Sequence, residues 1–233
     1  MDASTTSFSP TPHSEYQLIL SAQEPKAEPA RSLACKLWGV DWTRHYPVRL
    51  TSSATVVEAT SFGQVAEFLK QNIQAIYRSN QEDQAFLFSG QHAAKSAFYE
   101  ECSDSFVFRS QQDGRVIGVF IGNVLDWSSY YLRYTAILPE FRRQGIFAEF
   151  VEGLVEVLKA YPVERVEADV SPNNHPQVHL LNRVGFNLSG TLLTERWGAL
   201  SRFTKYMKPA NQAVFLNQFC VGDYKKMDGS PNK

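Results

Sequence analysis

The sequence lacks what would mark a metal, disulfide-rich or membrane protein. Its three cysteines, Cys35, Cys102 and Cys220, are scattered, with no CxxC and no nearby histidine pair. They read as reduced, inert core thiols in a cytoplasmic setting, and no metal site is expected. No apolar run approaches the ~18 residues needed to cross a bilayer. The opening stretch MDASTTSFSPTPHSEY has neither a basic region nor an apolar core, so it is not read as a secretory leader. Charge of one sign is also missing. With 23 Lys and Arg against 24 Asp and Glu, there is no electrostatic case for nucleic acid or an anionic membrane as partner.

The 233 residues suffice for one α/β domain with some length to spare. Residues 1–34 carry Pro10, Pro12, Pro25 and Pro29 among Ser, Thr and Ala. Such a composition buries little surface, so a loose arm is expected, with YQLIL (16–20) as a short edge strand. A domain over 35–209 and a tail over 210–233 complete the expected division. In the domain, PVRL and TVVEA read as short strands. Ser61 opens a helix with Val65, Phe68, Leu69, Ile73 and Ile76 at helical spacing. A second helix covers Ala93 to Cys102. SFVFRSQQDGRVIGVFIGNV is two strands joined across Asp113-Gly114, a hairpin signal, and SYYLRYTAIL is a third. A helix follows with Phe147, Phe150, Val151, Leu154 and Leu158 on one face, opposite Glu149, Glu152 and Glu156. RVEADV (165–170) is a strand, His175 to Arg183 a helix stopped by Gly185, and two strands meet around Trp197-Gly198. The tail's AVFLNQF is either a docked helix or disordered. The whole is a mixed α/β sheet in one domain.

Glycine is scarce at one place where chemistry would use it. In TAILPEFRRQGIFAEF a strand passes Pro139, turns at Arg142-Arg143-Gln144-Gly145 and becomes a helix. Free N–H groups and the dipole at such a helix start favour a phosphate. Gly145 permits close approach, and Arg142 and Arg143 add charge.

Two stretches together carry a family resemblance. LPEFRRQGI looks like the strand–Pro–aromatic–Arg–x–x–Gly–x–(Gly/Ala) acyl-CoA signature of the GNAT superfamily of acyl-CoA N-acyltransferases. NNHPQVHLLNRVGF resembles that family's Asn–Gly-Phe helix, through Asn174 and Gly185-Phe186. The similarity covers roughly residues 48–207, most clearly 129–187. It implies a GNAT-like mixed, mostly antiparallel central sheet flanked by helices. It also implies acetyl-CoA as acyl-donor substrate, held by Ile137, Arg142, Arg143, Gln144, Gly145, Ile146, Phe147 and Asn174. In this reading a small-molecule or peptide amine attacks the thioester directly in a ternary complex. A homodimer through the last strands is a further expectation of the resemblance.

The sequence departs from the family's pattern in three places. Arg143 stands where glycine is common. Phe147 replaces Gly or Ala, and its spacing turns it toward the sheet. Leu181 stands where many members carry a tyrosine that protonates the leaving thiolate, and an aliphatic side chain donates no proton. Tyr130, Tyr131, Tyr134 and His179 are the alternative donors. Tyr131 falls where some relatives place a general base, acting here through water. Asn174 caps the following helix and, by resemblance, reaches the pantetheine. His175 and His179 lack a third ligand for zinc. Glu195 and Arg196 read as an exposed charged hairpin, with Trp197 covering the core, and Asp126-Trp127 as a similar exposed turn. The leading expectation is an N-acetyltransferase. The alternative is a catalytically silent GNAT-like domain that binds CoA or a protein partner.

Overall fold

A computed structural model describes residues 38–76, 92–194 and 197–218. Cys35, Cys220, the YQLIL strand, and Glu195 with Arg196 lie outside them. Eight strands form one sheet in the order β1-β2-β3-β4-β5-β6-β8-β7. They are β1 (Val48–Arg49), β2 (Thr55–Thr60), β3 (Ser103–Ser110), β4 (Val116–Val124), β5 (Ser129–Ile137), β6 (Arg165–Val170), β7 (Asn187–Thr194) and β8 (Gly198–Tyr206). The helices are α1 (Phe62–Ile76), α2 (His92–Cys102), α3 (Ile146–Leu158), α4 (His175–Arg183) and α5 (Pro209–Gln218). All pairings are antiparallel except β5 with β6. The expected mixed, mostly antiparallel sheet flanked by helices is what the chain forms.

Helical and strand periods sort the core onto two faces. Val65 and Phe68 of α1 pack with Val107, Val119, Ile121 and Ala136 on one side. On the other, α3 and α4 bury Phe147, Phe150, Val151, Leu154, Leu158 and Leu181 against Phe106, Phe120 and Val166. Each such side chain contributes about 1.5–3 kcal/mol through burial. Phe150 sets the seating of α3. Its ring meets Phe120 at 4.8 Å, Phe108 at 5.2 Å and Phe106 at 5.3 Å, all edge-on, the geometry aromatic quadrupoles favour. In the first part of the tail, α5 docks Phe215 on Tyr206 at 5.4 Å between centroids.

Two expectations need correction. Cys102, read as a reduced thiol, forms a disulfide whose partner lies outside the described residues. The cysteine argument for a reducing setting therefore falls. Trp197 does not cover the core, being 56% exposed.

A break in the sheet's alternation decides where the site falls. The β4–β5 register shifts between Ile121, opposite Tyr134, and Gly122, opposite Leu132, so Arg133 is an extra residue, a β-bulge. Before it Tyr130 and Leu132 face α3, and after it Ala136 joins the α1 face. Gly122 at this bulge has no room for a side chain. A Cβ there would lie 2.2 Å from the Tyr130 hydroxyl, whose ring is fully buried. Gly122→Ala should cost about 1–3 kcal/mol by overpacking, lowering Tm by roughly 3–10 °C in a thermal melt. An unchanged Tm would show that the Tyr130 seat is loose.

Candidate functional site

β5 and β6 pair over three positions only, Ser129 with Arg165, Tyr130 with Val166 and Tyr131 with Glu167. Beyond Tyr131 the strands part, and β5 runs on to Ile137 with no neighbour on that side. Which backbone groups this exposes follows from the ladder. The Leu138 N–H donates to the Ile117 carbonyl at 2.9 Å, and Gly118 is opposite Ile137 in the same register. Antiparallel pairs alternate between bonded and non-bonded. The N–H and C=O of Thr135 and Ile137 therefore turn away from β4 into the gap. A cavity of about 760 Å3 opens there, lined by Thr135, Ile137, the loop 141–147 and the α4 residues Asn174, His179, Leu180 and Arg183.

The loop brings a helix start to the same cavity. Gly145 precedes α3 with φ +80° and no side-chain cap, so the first amides of the helix keep their donors. Ile146 and Phe147 are themselves buried, at 2% and 6% exposure. They present only backbone to the cavity, as the spacing of Phe147 implied. A Cβ on Gly145 would stand 3.0 Å from that of Ser52. The Thr51–Ser52 turn is in turn held by Glu149. That carboxylate accepts the Thr51 N–H at 2.7 Å, the Ser52 N–H at 2.8 Å and the Thr51 hydroxyl at 2.9 Å. Burial opposes its ionisation, but these donors outweigh it and pull its pKa down to about 2.

The two arginines of the loop differ. Arg142 donates Nε to the Ile137 carbonyl at 2.9 Å and Nη2 to the Ile76 carbonyl at 3.3 Å. Its guanidinium thus ties the end of β5 to the end of α1. Arg143 is exposed and has φ +64°, the left-handed backbone that glycine adopts freely. Gln144 donates to the Glu140 carbonyl at 3.4 Å. Asn174 caps α4, its Oδ1 accepting the Gln177 N–H at 3.3 Å. The amide's Nδ2 donors remain, on the cavity side. Leu181 is fully buried in the core, whereas His179 is exposed and lines the cavity.

Tyr131, the last β5 residue paired with β6, faces away from α3, and its hydroxyl donates to Asp169 Oδ2 at 3.0 Å. Asp169 is held by Arg202 through Nε at 2.8 Å and Nη2 at 2.9 Å. Arg202 also lies 3.5 Å from buried Glu167, which Arg165 meets at 2.8 Å. Arg165 reaches Asp126 at 2.7 Å. Asp126 thus turns the β4–β5 loop, accepting from Ser128 and Ser129 as well, while Trp127 is 73% exposed. Burial first, then Asp169, pushes the Tyr131 phenol up to about 12. At neutral pH it is a protonated donor to Asp169. Tyr130 is fully buried, and burial, then Asp104, raises its phenol well above the ordinary range. Tyr134 packs on the α1 face of the sheet.

Of the residues singled out in the sequence, the loop, Ile137 and Asn174 line this one cavity, while Tyr131 sits apart from that lining, on Asp169. Sequence reading missed Thr135, Asp169 and Arg202. RVEADV read only as a strand, and it is the strand order that brings Arg202 beside Glu167 and Asp169.

Residues 73–186 match the model of the acetyltransferase (GNAT) family. No curated protein matches the chain. Among solved structures, a spermidine N-acetyltransferase SpeG chimera from Vibrio cholerae and hSSAT is 18% identical, with a TM-score of 0.51, over 71% of this chain and 99% of that one. A ribosomal-protein-S5-alanine acetyltransferase from Vibrio fischeri is 14% identical, with a TM-score of 0.52, over 70% and 98%. A GNAT-family acetyltransferase from Streptococcus pneumoniae is 14% identical, with a TM-score of 0.50, over 66% and 99%. At these identities the likeness is one of fold. Residues 73–186, just under half of the chain, are thus similar to the GNAT acetyltransferase family, and the sheet shares the fold of these structures.

The strained loop residue gives a separable test. A left-handed non-glycine residue costs about 1–2 kcal/mol, and glycine's larger unfolded-state entropy returns about 0.5–1 kcal/mol of that. Arg143→Gly should leave Tm unchanged or slightly raised, and Arg143→Val, β-branched at the same φ, should lower it by several degrees. Equal melting of the two variants would show that the loop relaxes.

Proposed function

We propose that the domain at 35–209 transfers an acetyl group from acetyl-CoA to the amine of an acceptor, by direct attack in a ternary complex. The observation that carries this reading is the parting of β5 and β6 beside an uncapped helix start, in one cavity. Thr135 and Ile137 offer strand-edge groups to an amide-bearing arm. The amides of Gly145, Ile146 and Phe147, with Arg143, suit a pyrophosphate, and Asn174 Nδ2 suits a pantetheine carbonyl. A cavity of about 760 Å3 is the size of a small-ligand site. Acetyl-CoA supplies a thioester whose acyl carbon gains the amine nitrogen and loses the sulfur.

The chain's part is to position, polarise and move protons. The Thr135 and Ile137 N–H groups polarise the acyl oxygen, a contribution of order ~3 kcal/mol. Holding donor and acceptor together supplies much of the remaining acceleration. Tyr131 acts as a relay. Its oxygen accepts the proton leaving the amine as its own proton passes to Asp169 Oδ2, along the hydrogen bond already made. Leu181 supplies nothing to the leaving thiolate, so its proton comes from His179 or from water at the cavity mouth. The outer strand β7, with Leu188 52% and Leu193 86% exposed, is the edge on which a second copy would pair.

Calorimetric titration of acetyl-CoA into the protein should give micromolar binding, lost in an Arg143→Glu, Gly145→Trp double variant. No binding by the parent would end the reading, and binding with no turnover of any amine would leave a silent CoA-binding domain. For any acceptor turned over, Tyr131→Phe should lower kcat/KM by about 10²-fold, with the acetyl-CoA Kd unchanged. Full kcat/KM across pH in that variant would remove Tyr131 from the chemistry.

A further inference from the structure

We propose that Arg133 selects the acceptor, and that the amine acetylated here carries a carboxylate a few bonds from its nitrogen. This rests on the acetyl-transfer reading and adds the substrate class to it. Arg133 is the bulged residue of β5, two residues after Tyr131 and so just past the point where β5 and β6 part. Its Nε donates to Asn123 Oδ1 at 2.6 Å, and Asn123 is itself buried and anchored, Nδ2 donating to the Val124 carbonyl at 2.7 Å. The guanidinium carbon lies 5.0 Å from the Tyr131 ring centroid and 6.0 Å from that of Tyr99 on α2. It is therefore held by one nitrogen and two rings, half-buried, with its Nη1 and Nη2 donors unpartnered among the described residues.

Its neighbours differ in this respect. Arg165 is bound to Asp126 and Glu167, and Arg202 to Asp169 and Glu167. Each of those three carboxylates is already met by an arginine, whereas Arg133, beside them, forms no ion pair among the described residues. A guanidinium with an open fork matches a planar, two-oxygen anion in both shape and charge. Partial burial against two rings strengthens such a pair relative to one in water. A polycationic amine would meet this fixed positive charge beside three carboxylates that arginines already hold. The adjacency of Arg133 to Tyr131 sets the spacing of the ligand. With its carboxylate on the fork, the amine must be only a few bonds away to reach the Tyr131 oxygen, as in an α- or β-amino acid.

The test follows CoA release from acetyl-CoA with matched acceptors: glycine and glycinamide, β-alanine and β-alaninamide, and spermidine. Charge-assisted hydrogen bonds of this kind predict a kcat/KM for the free acids higher on the order of ten- to a hundred-fold. Amidation lowers the basicity of the amine and leaves more of it unprotonated, so a preference for the acid cannot originate in the nucleophile. Arg133→Gln should abolish the preference, Arg133→Lys should keep part of it, and the acetyl-CoA Kd should stay the same in both. Equal or better use of the amides or spermidine by the parent overturns the proposal, and so does a preference that survives Arg133→Gln. Failure of every acceptor while acetyl-CoA still binds also overturns it. Absence of acetyl-CoA binding would instead remove the acetyl-transfer reading on which it depends.

Discussion

The structure depends on one constraint, that β5 and β6 stop pairing after Tyr131. A parallel pair in mid-sheet normally satisfies both of its inner edges. Here the β5 edge runs on for six residues, from Leu132 to Ile137, without that partner. Unpaired backbone groups away from water are costly, so the edge must open onto solvent or a ligand. The fold keeps it open. The crossover through α3 rises beside one arm of the gap and α4 beside the other, and neither helix fills it. The bulge at Arg133 then turns the side chains of Thr135 and Ile137 toward this cavity and leaves Tyr131 and Arg133 on the opposite face. In the proposed transfer, donor and acceptor would thus approach one point from separate faces.

The anion loop is built from behind rather than from its own side chains. Gly145 takes a left-handed φ and lies close to Ser52, and the Ser52 turn hangs on the carboxylate of Glu149, in the first turns of α3 itself. The helix therefore fixes the wall that shapes its own start. Arg143 carries strain that a glycine would not, and the proposed pyrophosphate site is where its charge would be used. Arg142, by contrast, serves geometry. By taking the Ile137 carbonyl and the Ile76 carbonyl together it sets the end of the open strand against the end of α1.

What the sequence made legible were features with a local cause. The Asp113-Gly114 turn, the 3.6-residue period of α3 and the Pro139–Gly145 passage each declare themselves within a dozen residues. Phe147 could be turned inward on spacing alone, and it does pack on Phe120 at 6.2 Å. What stayed hidden needs strand order. RVEADV alternates as a strand with one wet face should, yet Glu167 is 6% exposed, because arginines from its own strand and from β8 close over it. A β-bulge also has no sequence mark of its own, so the turning of Arg133 could not be read. Cys102 was misjudged because nothing in the cysteine spacing foretells its disulfide.

In the proposed transfer, these hidden parts are what would let Tyr131 serve although its phenol is pushed away from neutrality. A lone tyrosine with so high a pKa is a poor base, and burial first, then Asp169, keeps it high. The arrangement instead gives the phenol somewhere to send its proton. Asp169 accepts from Tyr131 on Oδ2 and from Arg202 on both oxygens, so its position is fixed before any substrate arrives. Arg202 is fixed by Glu167, Glu167 by Arg165, and Arg165 by the Asp126 turn at the closed end of the β5–β6 pair. The chain of ion pairs runs beside the three paired positions and ends where pairing ends. The contacts that hold the two strands together at their base therefore also aim the phenol at the place where they part.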